Sequence, residues 1–241
     1  MAITAANRFT GSSGVNGPYT TTSLTPVANR LYLFSVQGRI STGSVQPVCS
    51  SVTGAGLTWV QVNFSDMDNA GTDRQSVYTF RSMGTGSAGA LTVTFSGQTL
   101  QRACWVLDEF DGVDTSGTNG SGAIVQSVKV DDGGSSATSA VATLAALADA
   151  ANNASYSICG HQVQEAINHD SGDSYTELSD QAPLGVTSMA TQVKIPGTTT
   201  PDWTWATGGR SGAISIEIKA AAAATAGYVP RRDPHRGLYM R

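Results

Sequence analysis

Short runs of β-branched and aromatic residues, roughly ten of them, follow one another through the chain with turn clusters between them and no amphipathic helical stretch. Such a chain has to pair its backbone N–H and C=O groups between strands, because it has no long helices in which to pair them. Arg30–Gln37 is nearly all apolar or aromatic, as a central strand would be. In Ser76–Phe80, Val77 and Thr79 fall on one face and Tyr78 and Phe80 on the other. Leu91–Phe95 alternates, with Leu91, Val93 and Phe95 directed inward, and Ile214–Ile218 alternates as a closing strand. Further runs lie at Leu57–Phe64, Ala103–Phe110, Ala123–Val130, Ala154–Val163, Ser188–Ile195 and Trp203–Ala206. Ala140–Asn153 has helix-like composition and reads as a strand ending in a helical turn.

The expected fold is therefore all-β, an antiparallel two-sheet sandwich with jelly-roll-like connectivity. It forms one domain over residues 1–219, cooperative from about Thr4 to Lys219. Leu33, Trp59, Phe95, Trp105 and Ile216 are expected in its core. No repeat with a period of about 20–50 residues is evident. At Lys219 the pattern stops. Residues 220–241 read as an alanine-rich spacer followed by a basic arm, broken by Pro230 and Pro234, which favour extended backbone.

Charged residues make up only 13% of the chain, against about 25% in ordinary soluble domains. A Gly-, Ser- and Thr-rich surface of that kind suits a protein covered by copies or partners. The net charge of −4 disfavours nucleic acid as a partner. No apolar run approaches the roughly 20 residues that span a bilayer, so no membrane partner is expected. The first residues lack the basic and apolar regions of a secretory leader, which implies synthesis and folding in a cytoplasm. Cys49, Cys104 and Cys159 have no metal or redox spacing and read as free, buried thiols.

Chemistry-bearing motifs are weak. Gly84–Gly89 matches GxGxxG, yet a strand follows it where a dinucleotide site needs a helix N-terminus, so it reads as a hairpin loop. Asp66–Asp73 begins like a calcium loop but has Ala70 at the fifth position and lacks the bidentate glutamate. His161, His169, Asp170 and Asp173 share a region without ligand spacing, His161 reading as a rim residue. Asp108 and Glu109 are adjacent on a strand and so face opposite sides, which spoils them as a catalytic pair. No catalytic residues, metal ligands or cofactor are assigned. Trp203 and Trp205, two apart on one strand face, with Tyr175, form a candidate glycan-stacking platform; packing in the core is the competing reading.

Thr53–Val62 and Trp105–Gln126, with Leu31–Phe34 and Ala145–Asn153, resemble a loosely defined family of β-sandwich virion proteins of tailed bacteriophages. Residues 25–219 carry the resemblance. It implies a non-enzymatic structural role as a tail-tip, fibre or minor tail component, in a particle assembled in the host cytoplasm. Capsid decoration, a head fibre, or a carbohydrate-binding module for host-surface glycans are the alternatives. The partners implied are other virion proteins and further copies of the chain. The arm lies outside the resemblance. Its expected role is to grip a neighbour, with Tyr228, Leu238, Tyr239 and Met240 as apolar anchors. Arg231, Arg232, Arg236 and Arg241 would pair with carboxylates or carbonyls.

Overall fold

The computed structural model describes residues 2–40, 43, 45–67, 73–96, 99–131, 136–183 and 187–223. Its first half runs β1 (Thr4–Ser13), β2 (Tyr19–Leu24), β3 (Leu31–Ile40), β4 (Val48–Gly54), β5 (Leu57–Thr58), β6 (Val60–Met67), β7 (Arg74–Met83), β8 (Gly89–Ser96) and β9 (Arg102–Asp111). After a 3-10 turn at Ser121–Ala123, the second half runs β10 (Ile124–Asp131), β11 (Ala137–Val141), β12 (Ala154–His161), β13 (Asn168–His169), β14 (Thr176–Gln181), β15 (Ser188–Lys194), β16 (Asp202–Gly209) and β17 (Ser211–Ile218). All strand pairings described are antiparallel.

The all-β antiparallel sandwich expected from the sequence is present, but it has four sheets rather than two. The first half makes an inner sheet, β1-β9-β3-β7-β6, and an outer one, β2-β8-β4-β5. The second half makes an inner sheet, β10-β17-β12-β15-β14, and an outer one, β11-β16-β13. The two inner sheets lie face to face, with β6 against β10, β7 against β17, β9 against β15 and β1 against β14. Substituting β10, β17, β12, β15 and β14 for β1, β9, β3, β7 and β6 converts one inner sheet into the other. The molecule is thus a repeat of two sandwiches, stacked with approximate two-fold symmetry. The repeating unit is half the chain, far longer than a period of a few tens of residues.

Four layers require strands that are buried on both faces, and the sequence supplies them. Every residue of β3, β12 and β17 is buried. Alternation sends Leu31 and Leu33 of β3 into the core between the inner sheets, and Tyr32, Phe34 and Val36 into the core under the first outer sheet. In β9, Cys104, Val106 and Phe110 take the first direction and Trp105 and Leu107 the second. In β17, Ile214, Ile216 and Ile218 face the first half, while Ala213 faces the second outer sheet. Ile218 pairs with both β10 and β12. The expected closing strand is therefore an interior one.

A polar pair also crosses between the halves. The Tyr156 hydroxyl donates to Asp108 Oδ2 at 2.7 Å and Asn7 Nδ2 donates to Oδ1 at 2.9 Å, with Asp108 and Tyr156 fully buried. On the other face of β9, Glu109 meets Arg30 at 2.6 Å. The two carboxylates point to opposite sides, as strand alternation requires.

Several expectations need correction. Leu33, Trp105 and Ile216 are buried, but Trp59 and Phe95 are only half-buried. Trp59 occupies the break between β5 and β6 and donates its indole N–H to Gly54 O at 3.3 Å. Phe95 lies one residue from the end of β8, its ring edge-on to Tyr19 and Tyr78. Gly84–Gly89 connects β7 in an inner sheet to β8 in an outer one, so it is an arch between layers, not a hairpin. Ala140–Asn153, in contrast, is as expected: it contains the end of β11 and closes in a single helical turn, where Asn153 N–H donates to Asp149 O at 2.8 Å. Ala220 and Ala221 still belong to the body, as described below.

Candidate functional site

After β17 the chain runs beside the linker that joins the two halves. Ala220 bridges Val113 antiparallel, Asp114 N–H donates to Lys219 O at 2.9 Å, and Ala221 N–H donates to Gly112 O at 2.8 Å. Lys219 Nζ sits 2.6 Å from Asp114 Oδ2, and this lysine with the neighbouring Ser116 holds the Asp114 carboxyl down at about 2. Gly112 turns the linker with φ of 71°; a Cβ there would come within 2.3 Å of Ala2 O. Lys219–Ala221 are therefore fixed against the linker. Ala220 is buried at the edge of the core between the inner sheets.

Glu217, two residues before Lys219, is fully buried and accepts three hydrogen bonds. Ala148 N–H and Asn153 Nδ2 both donate to Oε1 at 2.7 Å, and Gln126 Nε2 donates to Oε2 at 2.7 Å. Asn153 Oδ1 in turn accepts the Ala220 N–H at 3.0 Å. Three carboxylate bonds thus tie β10, the loop after β11 and the start of the tail into one unit. Beside them opens a groove of about 740 Å³, floored by Ile124 and Val125, walled by Ala221–Ala223, and edged by Asp149 and Asn152. Val125 is exposed, and Asp149 holds its own loop by accepting from Ala151 N–H at 3.1 Å and Asn152 Nδ2 at 2.8 Å.

The arm residues Tyr228, Arg231, Arg232, Arg236, Leu238, Tyr239 and Met240 lie outside the described residues. The proposed aromatic platform is not a surface. Trp203 has no exposure, Trp205 and Tyr175 have 4% each, and both indole N–H groups are taken, by Ser157 Oγ at 2.9 Å and Ala137 O at 2.8 Å. The reason is layering: β16 belongs to an outer sheet, and its two indoles fill a core otherwise made largely of Ala140, Ala142, Ala190 and Ala213. No aromatic face remains there for a sugar.

His161 is not a rim residue either. It is fully buried, its ring 4.6 Å from that of Trp205, with neither ring nitrogen hydrogen-bonded. Glu165 Oε1 approaches Nδ1 to 3.6 Å while its carboxylate accepts the Thr207 N–H. His169 lies apart, 3.1 Å from Glu177. Among the described residues no three His, Cys, Asp or Glu side chains gather as a metal site. Of the calcium-like segment, residues 68–72 lie outside the described ones, and Asp73 is bound by Arg39 and by Gln162 Nε2 at 2.7 Å. Cys49, Cys104 and Cys159 are buried and free, and burial pushes the thiols of the first two up to about 12.

Burial sets up opposed pH responses. It drives His161 down to about 4, Glu165 pulling weakly the other way, and it raises Asp108 and Asp180 to about 6. Below pH about 6.5 the unfolded chain protonates His161 and the folded one does not, so this residue removes stability as pH falls towards 4. Asp108 and Asp180 take protons first in the folded state and return stability as pH falls through 6. Between pH 6.5 and 4, a His161→Leu variant is expected to lose less stability than the wild type, and Asp108→Asn to lose more. Urea denaturation at a series of pH values checks both; parallel curves would refute the assignment.

With the architecture defined as two stacked, antiparallel β-sandwiches, comparison with protein-family models, curated proteins and solved structures finds no match to this chain. No residue's role is therefore carried in from a relative.

Proposed function

We propose that the chain is a non-enzymatic structural subunit of a tailed-bacteriophage virion. In this reading it is a tail-tip, fibre or minor tail component, assembled in the host cytoplasm, that docks on neighbouring subunits through residues 224–241. The observation that carries it is the clasp at Gly112–Asp114 and Lys219–Ala221, which delivers a basic, proline-broken segment from a fixed point on a rigid body. A segment that only trailed would need no such root. The nested pairing of β1 with β9, β2 with β8, β3 with β7 and β4 with β5 supports reading the first half as a jelly roll. β10 with β17, β11 with β16 and β12 with β15 support the same reading of the second. Two such units in one chain suit a building block whose surfaces are covered by other virion proteins or by copies of itself. Capsid decoration uses the same features and differs only in location. A glycan-binding role draws no support from Trp203, Trp205 or Tyr175.

Deletion of residues 224–241 tests the reading. The truncated body should fold with an unchanged denaturation midpoint, and its recovery in purified particles, measured by mass spectrometry, should fall at least tenfold. Full recovery of the truncated chain in particles, or absence of the intact chain from them, would overturn it.

A further inference from the structure

We infer that β-bulges in the edge strands close the side walls of the molecule to strand addition, so that a second copy of the chain does not join it edge to edge. The inference concerns the isolated chain and stands apart from the virion reading. Its basis is where the bulges fall. In each inner sheet the pairings among interior strands run in unbroken register, β3 with β7 and β9, and β12 with β15 and β17. The four pairings that involve an edge strand are all broken, and the extra residue is in the edge strand every time. Arg8 is the extra residue of β1, between Asn7 opposite Asp108 and Phe9 opposite Leu107. Val62 plays that part in β6, Val125 in β10 and Leu178 in β14. Irregularity scattered at random would have touched the interior ladders too.

An incoming strand needs evenly spaced N–H and C=O groups along the edge. A bulge leaves one residue unpaired, bends the strand and increases its twist. In β1 it leaves regular stretches of Thr4–Asn7 and Phe9–Ser13, each no longer than the about five or six residues of an ordinary strand. β14 is cut into Thr176–Glu177 and Ser179–Gln181, and β6 into Val60–Gln61 and Asn63–Met67. β10 keeps a longer regular stretch, Gln126–Asp131, and that stretch is stitched to β6. Asn63 Nδ2 donates to Ser127 Oγ at 2.7 Å, Ser65 Oγ donates to Val130 O at 2.8 Å, and Lys129 Nζ lies 4.5 Å over the Phe64 ring. The bulges are also anchored: Val62 and Leu178 pack against the core between the inner sheets, and Arg8 approaches Glu109 to 3.6 Å. The outer sheets follow suit, since the registers of β2 and β11 shift and β5 and β13 are two residues long. β1 is the edge most in need of protection, with ten residues and Arg8 as its one charged side chain.

Straightening β1 tests this. Deletion of Arg8 keeps Asn7 opposite Asp108 and Phe9 opposite Leu107, and makes the ladder regular. Arg8→Ala keeps the bulge and removes only the charge. In sedimentation velocity over a concentration series, the deletion variant should self-associate at concentrations at least tenfold below any at which wild type does. Arg8→Ala should match wild type. Hydrogen exchange should locate the new contact, with amides of the straightened strand slowing as the deletion variant is concentrated. The urea midpoint verifies its fold. Should it not fold, deletion of Val125, an exposed residue, straightens β10 in the same way. A deletion variant that folds and associates no more than wild type would overturn the inference. So would association of Arg8→Ala equal to that of the deletion, which assigns the effect to charge, or association that leaves exchange in the straightened strand untouched.

Discussion

Replacing Trp105 with alanine is expected to lower the unfolding free energy by on the order of 3–5 kcal/mol, the range for large aromatic deletions in well-packed cores. The indole is 5% exposed at the middle of β9, with the Tyr19 ring 5.9 Å away. Its fit depends on Gly11 of the adjacent strand, where a Cβ would come within 2.4 Å of the indole nitrogen. Its carbonyl accepts Gln181 Nε2 from the other half at 2.8 Å, so collapse around the lost ring is opposed from both sides. Urea denaturation with an unchanged slope measures the effect. A loss below about 1 kcal/mol would place the side chain outside the core.

Glu217→Ala should cost a comparable amount, roughly 3–5 kcal/mol, by a different route. It leaves Ala148 N–H and Asn153 Nδ2 without their acceptor and Gln126 Nε2 with only the longer bond to Ala145 O at 3.3 Å, and an orphaned buried donor costs about 1–3 kcal/mol. Glu217→Gln keeps the shape and one good acceptor, so its loss should be smaller by about 1 kcal/mol or more. The alanine variant should also become sensitive to proteolysis near residues 145–152. Equal stability of the two variants would mean that the carboxylate does not hold the loop.

Strands were legible in the sequence where they are hydrophobic on both faces. Leu31–Val36 and Ala103–Phe110 announced interior strands because double-sided burial leaves no polar alternation. The same runs held the clue to a fourth layer, since a two-sheet sandwich gives most of its strands one solvated face. The edge strand β1 was missed: its Thr, Ala, Asn, Arg and Gly residues are alternately exposed and half-buried and carry little hydrophobic signal. Trp203 and Trp205 were correctly placed on one strand face, but which layer that face meets depends on sheet order, which no local pattern encodes. Glu217 was invisible as a site residue for a similar reason. Its three partners come from positions 126, 148 and 153, brought together only by the stacking of strands. The tail, in contrast, was recognisable from composition alone, because its proline and arginine content breaks so sharply with what precedes it.

The pairing of Lys219–Ala221 with Gly112–Asp114 also sets the path of mechanical load. Tension applied to residues 224–241 reaches the short clasp first and then β17, which is hydrogen-bonded along its length to β10 on one side and β12 on the other. Pulled along its axis, such a strand resists in shear, with both ladders strained together rather than opened one bond at a time. A tether rooted on an edge strand would peel. Rooted on an interior strand, it passes force into the two ladders that flank β17 and so into the whole of that inner sheet.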